Sequence, residues 1–231
     1  MIKKNVLVLV MVFVVKLAFS QSFMEKTKNL FADKNKKFSG TITYEVIPEK
    51  LELNTPKKLS LPAQVQASYF DFYTKFNYKT EQQDVVLYDD GINQSSILFV
   101  KTGKQEYAVQ SNNEEIIKSL AKFPSIKLSE TTEMKEICGY KCKKVLITSD
   151  KTVTEAYITN ELNIPNPNWH SQYAEIKGVL LEYTVIKDNF RLRYIAINIK
   201  PQKFFASDFK LPQGVETITQ AELNKILQKK F

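Results

Sequence analysis

The chain has few of the residue types on which catalysis and cofactor binding commonly depend. Its 231 residues include one histidine, one tryptophan, two cysteines and six glycines. A single histidine excludes metal sites built from several histidines, and the few glycines form no phosphate-binding loop. No G-x-S-x-G, H-E-x-x-H or calcium-loop pattern occurs. We therefore predict no catalytic residue, no metal site and no cofactor, and we expect that the protein is not an enzyme.

The titratable residues that remain do not form a recognisable constellation. His170 follows Trp169 in a loop that contains Pro165 and Pro167, which favours a packing or surface role. Asp89 and the next residue precede a glycine, and this pattern predicts a turn. Two carboxylates brought together from distant strands, as in a glycosidase, stay open as an alternative.

Cysteine and arginine are also scarce. Cys138 and Cys142 are the only cysteines, and their spacing fits neither a zinc site nor a C-x-x-C redox motif. They are a disulfide candidate across a tight hairpin or, alternatively, two buried thiols. Arg191 and Arg193 are the only arginines, so the formal net charge of +8 comes from lysine. This composition favours a solvated surface over nucleic-acid binding, and an attraction to anionic headgroups stays open.

The N-terminus has the pattern of a signal peptide. Basic residues precede an apolar run over 6–15, and small residues lead to a predicted cleavage between Ser20 and Gln21. The run is shorter than the roughly 20 residues of a spanning helix, so we expect no transmembrane segment in the mature chain. No cysteine near the cleavage position could carry a lipid. The sequence predicts a signal peptide over 1–20, a single domain over 21–231, and a periplasmic or secreted location.

Alternation of apolar and polar residues dominates the rest of the chain and predicts strands. The predicted strands cover 38–46, 69–78, 85–88, 97–101, 106–110, 143–148, 153–159, 179–186 and 192–200. Tight turns and the absence of a β–α–β rhythm favour an antiparallel sheet. Helices are predicted over 23–32, over 112–122 with Asn112 and Glu115 as a capping box, and over 220–229 after Thr219.

Aromatic residues on one predicted strand form the main candidate site. In an unbroken strand over 69–78 they would share one face, and helix residues could close over them as a lid. This candidate apolar ligand site comprises Phe70, Phe72, Phe76, Tyr78, Ile116, Ile117 and Leu120. Alternatively the same residues simply fill the core, because both arrangements need an alternating apolar face.

Several motifs resemble those of uncharacterised exported proteins of Gram-negative bacteria related to the GLPGLI-type families. The resemblance rests on the hairpin 137–144 (ICGYKCKK), on 156–162 (AYITNEL) and on 208–214 (DFKLPQG). Ala174 and Lys177 depart from the glycine and proline of the naming motif, so the resemblance concerns the broader group. It implies a fold similar to the LolA/LppX-like lipoprotein carriers, which is a half-open antiparallel barrel with helices on the concave side.

These observations together predict an α+β, mainly β fold. We expect about 8 to 11 antiparallel strands in a curved half-open barrel, with two or three helices on its concave side. The leading hypothesis for function is non-catalytic binding of a lipid, a lipoprotein acyl chain or another apolar ligand between sheet and helices. The alternative is a structural or protein-interaction domain of the envelope, with a filled core and an envelope protein as its partner.

Overall fold

The fold is one large β-sheet with few helices. The computed structural model describes residues 37–51, 61–150, 152–187 and 190–230. The strands are β1 (Ser39–Leu51), β2 (Gln64–Phe70), β3 (Tyr73–Lys79), β4 (Asp84–Asp90), β5 (Ser95–Thr102), β6 (Gln105–Ser111), β7 (Ile126–Ile137), β8 (Tyr140–Ser149), β9 (Thr152–Thr159), β10 (Val179–Lys187), β11 (Phe190–Pro201) and β12 (Glu216–Thr217). The helices are α1 (Asn113–Leu120), α2 (Gln220–Lys230) and a 3-10 helix (Ala206–Phe209).

Two meanders make up this sheet. Strands β1 to β6 pair in sequence order, β7 to β11 do the same, and antiparallel pairing of β1 with β11 joins the two. The short β12 adds to β6 as the one parallel pair among the described strands. The order places β6 and β7 near opposite ends of the sheet. Because β12 and β7 each have a neighbour on one side only, the sheet is not closed.

The connection from β6 to β7 requires the sheet to curve. In a flat sheet the two strands would lie about 48 Å apart, at ~4.8 Å per strand spacing. The connection through α1 reaches only about 36 Å, because its helical residues rise ~1.5 Å each. Contacts also join strands that are not neighbours in the sheet: Lys135 of β7 pairs with Glu182 of β10 at 2.6 Å. The Cys138 thiol in the β7–β8 turn donates to the Ala196 carbonyl of β11 at 3.3 Å.

One face of the sheet, here termed the inner face, carries the main core. This core includes Ile42, Leu87 and Val100. The segment 160–178 covers the inner face over β1, β2 and β8–β11 with Leu162, Ile164, Tyr173 and Ile176. Helix α2 covers the inner face over β4–β6 with Leu223 and Leu227. Two separate elements therefore cover the same face.

Most of the predicted elements are confirmed. The mainly antiparallel sheet is present, and helix α1 begins after Asn112, whose side chain and that of Glu115 form the predicted capping box. Helix α2 begins after Thr219, which accepts a hydrogen bond from the Glu222 amide. The sheet has 12 strands, more than predicted, because β7 and β12 were not predicted and the predicted strand over 69–78 is two strands, β2 and β3. The predicted signal peptide, its cleavage at Ser20 and Gln21, and the helix over 23–32 lie outside the described residues.

The predicted unbroken strand over 69–78 is wrong. Residues 71 and 72 instead form the two-residue turn of the β2–β3 hairpin, in which Phe70 pairs with Tyr73. Asp71 has a φ of 51°, a left-handed conformation that aspartate tolerates better than most residues. The reversal shifts the side-chain alternation, so Phe70 and Phe76 lie on opposite faces.

No helix in the described part of the chain is long and apolar enough to cross a membrane.

Candidate functional site

The register of β1–β6 aligns apolar side chains in two rows across the inner face. Directly opposed residues in an antiparallel sheet point to the same side, so each row runs across the strands. The first row comprises Ile42, Ala67, Phe76, Leu87, Leu98 and Val109. The second comprises Tyr44, Val65, Tyr78, Val85, Val100 and Tyr107. These rows make this part of the inner face apolar with a few phenol groups.

A third row, next to the first, is polar. It comprises Tyr69, Thr74, Asp89 and Ser96, which oppose one another on β2, β3, β4 and β5. All four residues are buried. Burying a carboxylate is costly unless a partner compensates its charge. We term these residues the polar row.

His170 supplies that partner from the covering segment 160–178. Its Nδ1 lies 2.6 Å from Asp89 Oδ1, and both side chains are at most 3% exposed. The Asn168 side chain donates to the carbonyls of Ile176 and Gly178, each at 2.9 Å, and so holds the segment in shape. The pair therefore links the covering segment to β4.

Sequence reasoning missed this pair. Asp89 was expected in a turn but lies within β4, one residue before its end. His170 was expected to have a packing or surface role, and it is buried within hydrogen-bond distance of Asp89. The alternation of Val85, Leu87 and Asp89 was the only available signal that Asp89 points inward.

Tyrosines from both meanders meet on the inner face. Tyr183 stacks on Tyr194 with ring centroids 5.0 Å apart, and it meets Tyr44 edge to face at 5.9 Å. The Tyr44 hydroxyl donates to the Leu180 carbonyl at 2.9 Å. Burial raises the pKa of Tyr44, Tyr78 and Tyr183 well above the ordinary value. This interior is therefore unfavourable for negative charge.

An incompletely covered strip separates the two parts of the core. Phe76 packs against both the core under segment 160–178 and the core under α2. Tyr78 packs against the first core and Val85 against the second. All three are only partly buried, whereas Val65, Leu87 and Val100 around them are buried. We term Phe76, Tyr78 and Val85 the seam.

The structure separates the four predicted aromatic site residues. Phe76 and Tyr78 lie on the inner face, with ring centroids 6.4 Å apart. Phe70 lies on the outer face, stacked on Tyr73 and on Phe209 of the 3-10 helix. Phe72 lies in the β2–β3 turn, where the Lys37 ammonium is 4.7 Å from its ring centroid.

The predicted lid contacts also differ. Ile116 and Leu120 of α1 are buried, and their partners are Phe123 and Trp169. Ile117 is 39% exposed. Helix α1 therefore packs beside the segment that carries His170, and not on Phe70 or Phe72.

Both cysteines are free thiols in the structure, so the predicted disulfide candidate is not formed. Cys142 is fully buried, and burial raises the pKa of its thiol to about 11. Cys138 is exposed in the β7–β8 turn with a φ of 51°. Within the described ranges, no group of three histidine, cysteine or carboxylate side chains could hold a metal ion.

Comparisons with known proteins identify a fold and no family. No protein-family model matches the chain, and no curated protein matches it. The chain is similar to two crystal structures of PNGF-II. One has a TM-score of 0.53 and 17% identity over 83% of this chain, and the other a TM-score of 0.51 and 16% identity over 84%.

This chain spans 33% of the length of each PNGF-II chain, about a third. At such low identity the likeness concerns the fold alone. The resemblance to the GLPGLI-type and LolA-like families stays a prediction.

Proposed function

We propose that the chain is an exported, non-catalytic protein that binds an apolar ligand between its sheet and the elements covering the inner face. On this proposal the curved sheet is a half-open barrel, and the ligand lies at the seam formed by Phe76, Tyr78 and Val85. The protein acts in the periplasm or after secretion, with a lipid or acyl chain as ligand. A filled envelope domain that interacts with another protein is the competing function.

The seam is the observation that carries this proposal. Partly exposed aromatic and branched side chains lie there between two buried cores, at the boundary between two independent covering elements. A ligand could extend both cores by covering Phe76 and Tyr78, which removes apolar surface from water. Small-molecule sites commonly combine such an apolar lining with a few polar groups.

The mature chain, purified after mild extraction, provides the test. Native mass spectrometry detects a co-purified lipid, and titration with a fluorescent hydrophobic probe measures uptake. Tyr78→Ala should weaken probe binding about tenfold, because a ring of the seam is lost. Tyr73→Ala is the matched control, since Tyr73 is a partly buried tyrosine on β3 that faces the other side.

A protein that carries no lipid and takes up no probe would overturn the proposal and favour the filled envelope domain. Equal loss of binding in Tyr78→Ala and Tyr73→Ala would place the probe somewhere other than the seam. Circular dichroism of both variants establishes that each is folded before binding is compared.

A further inference from the structure

The ligand class follows from the charges that face the seam. We propose that the site selects an uncharged amphiphile, with an apolar chain and a hydroxyl, ester or amide head, and disfavours the corresponding carboxylate. This inference rests on the proposed function, because it names the ligand of the same site. Its two parts are the orientation of the ligand and the charge of its head.

The orientation follows from the order of the three rows. Starting from Phe76 in the first apolar row, the second apolar row lies on one side and the polar row on the other. Successive rows on one face of a strand are about 7 Å apart, so one ligand can contact all three. A chain against Phe76, Tyr78 and Val85 therefore directs a head group toward Thr74 and Asp89, both of which are buried.

The polar row can hydrogen-bond a head without supplying positive charge. Tyr69, Thr74 and Ser96 carry hydroxyls that donate and accept. Asp89 and His170 form a pair whose net charge is zero when the imidazole is protonated and −1 when it is neutral. In neither state does the pair carry a net positive charge that could balance a carboxylate head.

The lysines of β3 face away from the polar row. Lys75 and Lys79 alternate with Phe76 and Tyr78 on β3, so they lie on the outer face. Lys75 donates to the Asp208 carbonyl at 3.1 Å, and Lys79 pairs with Asp84 at 3.4 Å. The buried polar and charged residues of the described chain include no lysine or arginine. A carboxylate head would therefore be desolvated without a cationic partner.

The raised pKa values of the buried tyrosines support the same conclusion. Burial raises the pKa of Tyr69 and Tyr78, and the charge of Asp89 raises both further. A phenolate and a fatty carboxylate are both anions, so the environment that disfavours one disfavours the other.

A matched pair of ligands tests this inference. Dodecanol and dodecanoate have chains of equal length and differ in the charge of the head at neutral pH. Each competes with the fluorescent probe bound to the mature chain. We expect dodecanol to displace the probe at a concentration at least about tenfold lower than dodecanoate, which corresponds to about 1.4 kcal/mol.

Two charge variants sharpen the test. Val85→Lys places a cation at the partly exposed seam and should improve displacement by dodecanoate without improving displacement by dodecanol. Tyr88→Lys is its control, because residue 88 is partly buried on β4 and faces the other side. Asp89→Asn removes the buried negative charge at constant shape and should also favour dodecanoate. It provides a second readout if Val85→Lys does not fold.

The outcomes separate the two proposals. If the probe does not bind at all, the proposed function fails. If the probe binds at the seam and dodecanoate displaces it as well as dodecanol does, the proposed function stands and the preference for an uncharged head is wrong. Displacement by neither amphiphile would likewise overturn this inference alone, as would unchanged selectivity in both charge variants.

Discussion

Glu182 is a buried carboxylate of β10 that lies between two cations on the outer face. Its side chain is 5% exposed, with Lys135 of β7 at 2.6 Å and Arg193 of β11 in a second ion pair. Burial alone would raise the pKa of Glu182, but the hydrogen bonds from Lys135 and Arg193 outweigh it and lower the pKa. The side chain therefore connects the curled edge of the sheet to its centre.

This arrangement predicts an acid-sensitive contribution to stability. Because the pKa of Glu182 is depressed in the folded state, its stabilisation is complete above the ordinary value of 4.5 and is lost as the pH falls through the folded pKa. We expect Glu182→Gln to lower the free energy of unfolding by about 2 kcal/mol at neutral pH and by much less in acid. Urea unfolding at both pH values measures the difference.

Glu45→Gln is the control for this prediction, since Glu45 is an exposed carboxylate of β1, on the same face of the sheet and two strands away, with Ile195 of β11 between them. It should change the free energy of unfolding by less than about 0.5 kcal/mol. A Glu182→Gln effect of the same size at both pH values would contradict the proposed role of charge.

At the scale of elements, α2 depends on tertiary packing more than on its own helical propensity. Its 11 residues are marginal for an isolated helix, and its start is held by Thr219 and Glu222. Leu223 is fully buried and Leu227 is 2% exposed, and both pack on the apolar rows of β4–β6. The helix therefore docks through two leucines at one-turn spacing.

Leu223→Ala should consequently destabilise the protein by about 3 kcal/mol, through lost burial and the cavity that remains. The measurement is the midpoint and slope of urea unfolding followed by circular dichroism. Lys225→Ala, at an exposed position of the same helix, should have almost no effect. If the two variants were equally stable, α2 would not be docked on the sheet as described.

At the scale of the whole molecule, the continuous sheet joins the two cores into one unit. The core under segment 160–178 and the core under α2 share Phe76, and β1 to β6 form a continuous ladder beneath both. The pairing of β1 with β11 extends the ladder into the second meander. Loss of either core would expose the edge of the other.

We therefore expect a single cooperative unfolding transition. Trp169 is the only tryptophan and lies against α1, so its fluorescence reports on the segment that covers the inner face. Circular dichroism reports on the sheet. The two midpoints in urea should coincide. A Trp169→Phe variant corrects for tyrosine emission, and a fluorescence midpoint at clearly lower urea would show that the covering segment unfolds on its own.

Local signals in the sequence determined most of the elements. Alternation identified β1, β4–β6 and β8–β11, because a half-buried strand must alternate whatever it pairs with. The capping boxes at Asn112 and Thr219 identified the starts of both α-helices, because their hydrogen bonds span only three residues. The mainly antiparallel sheet could be predicted on the same grounds.

Only the tertiary structure decided which residues meet. The two-residue turn changes which parity faces inward, but aromatic residues occupy both parities around it, so the β2–β3 hairpin and the outward orientation of Phe70 could not be predicted from the alternation over 69–78. Asp89 and His170 are 81 residues apart, and their contact depends on the register of β4 and on how the segment 160–178 crosses the inner face. Composition and alternation are local properties, whereas register and curvature depend on the packing of distant segments. The sequence by itself thus determined the strands and helix starts, and the packed sheet decided the seam, the polar row and the charges that face them.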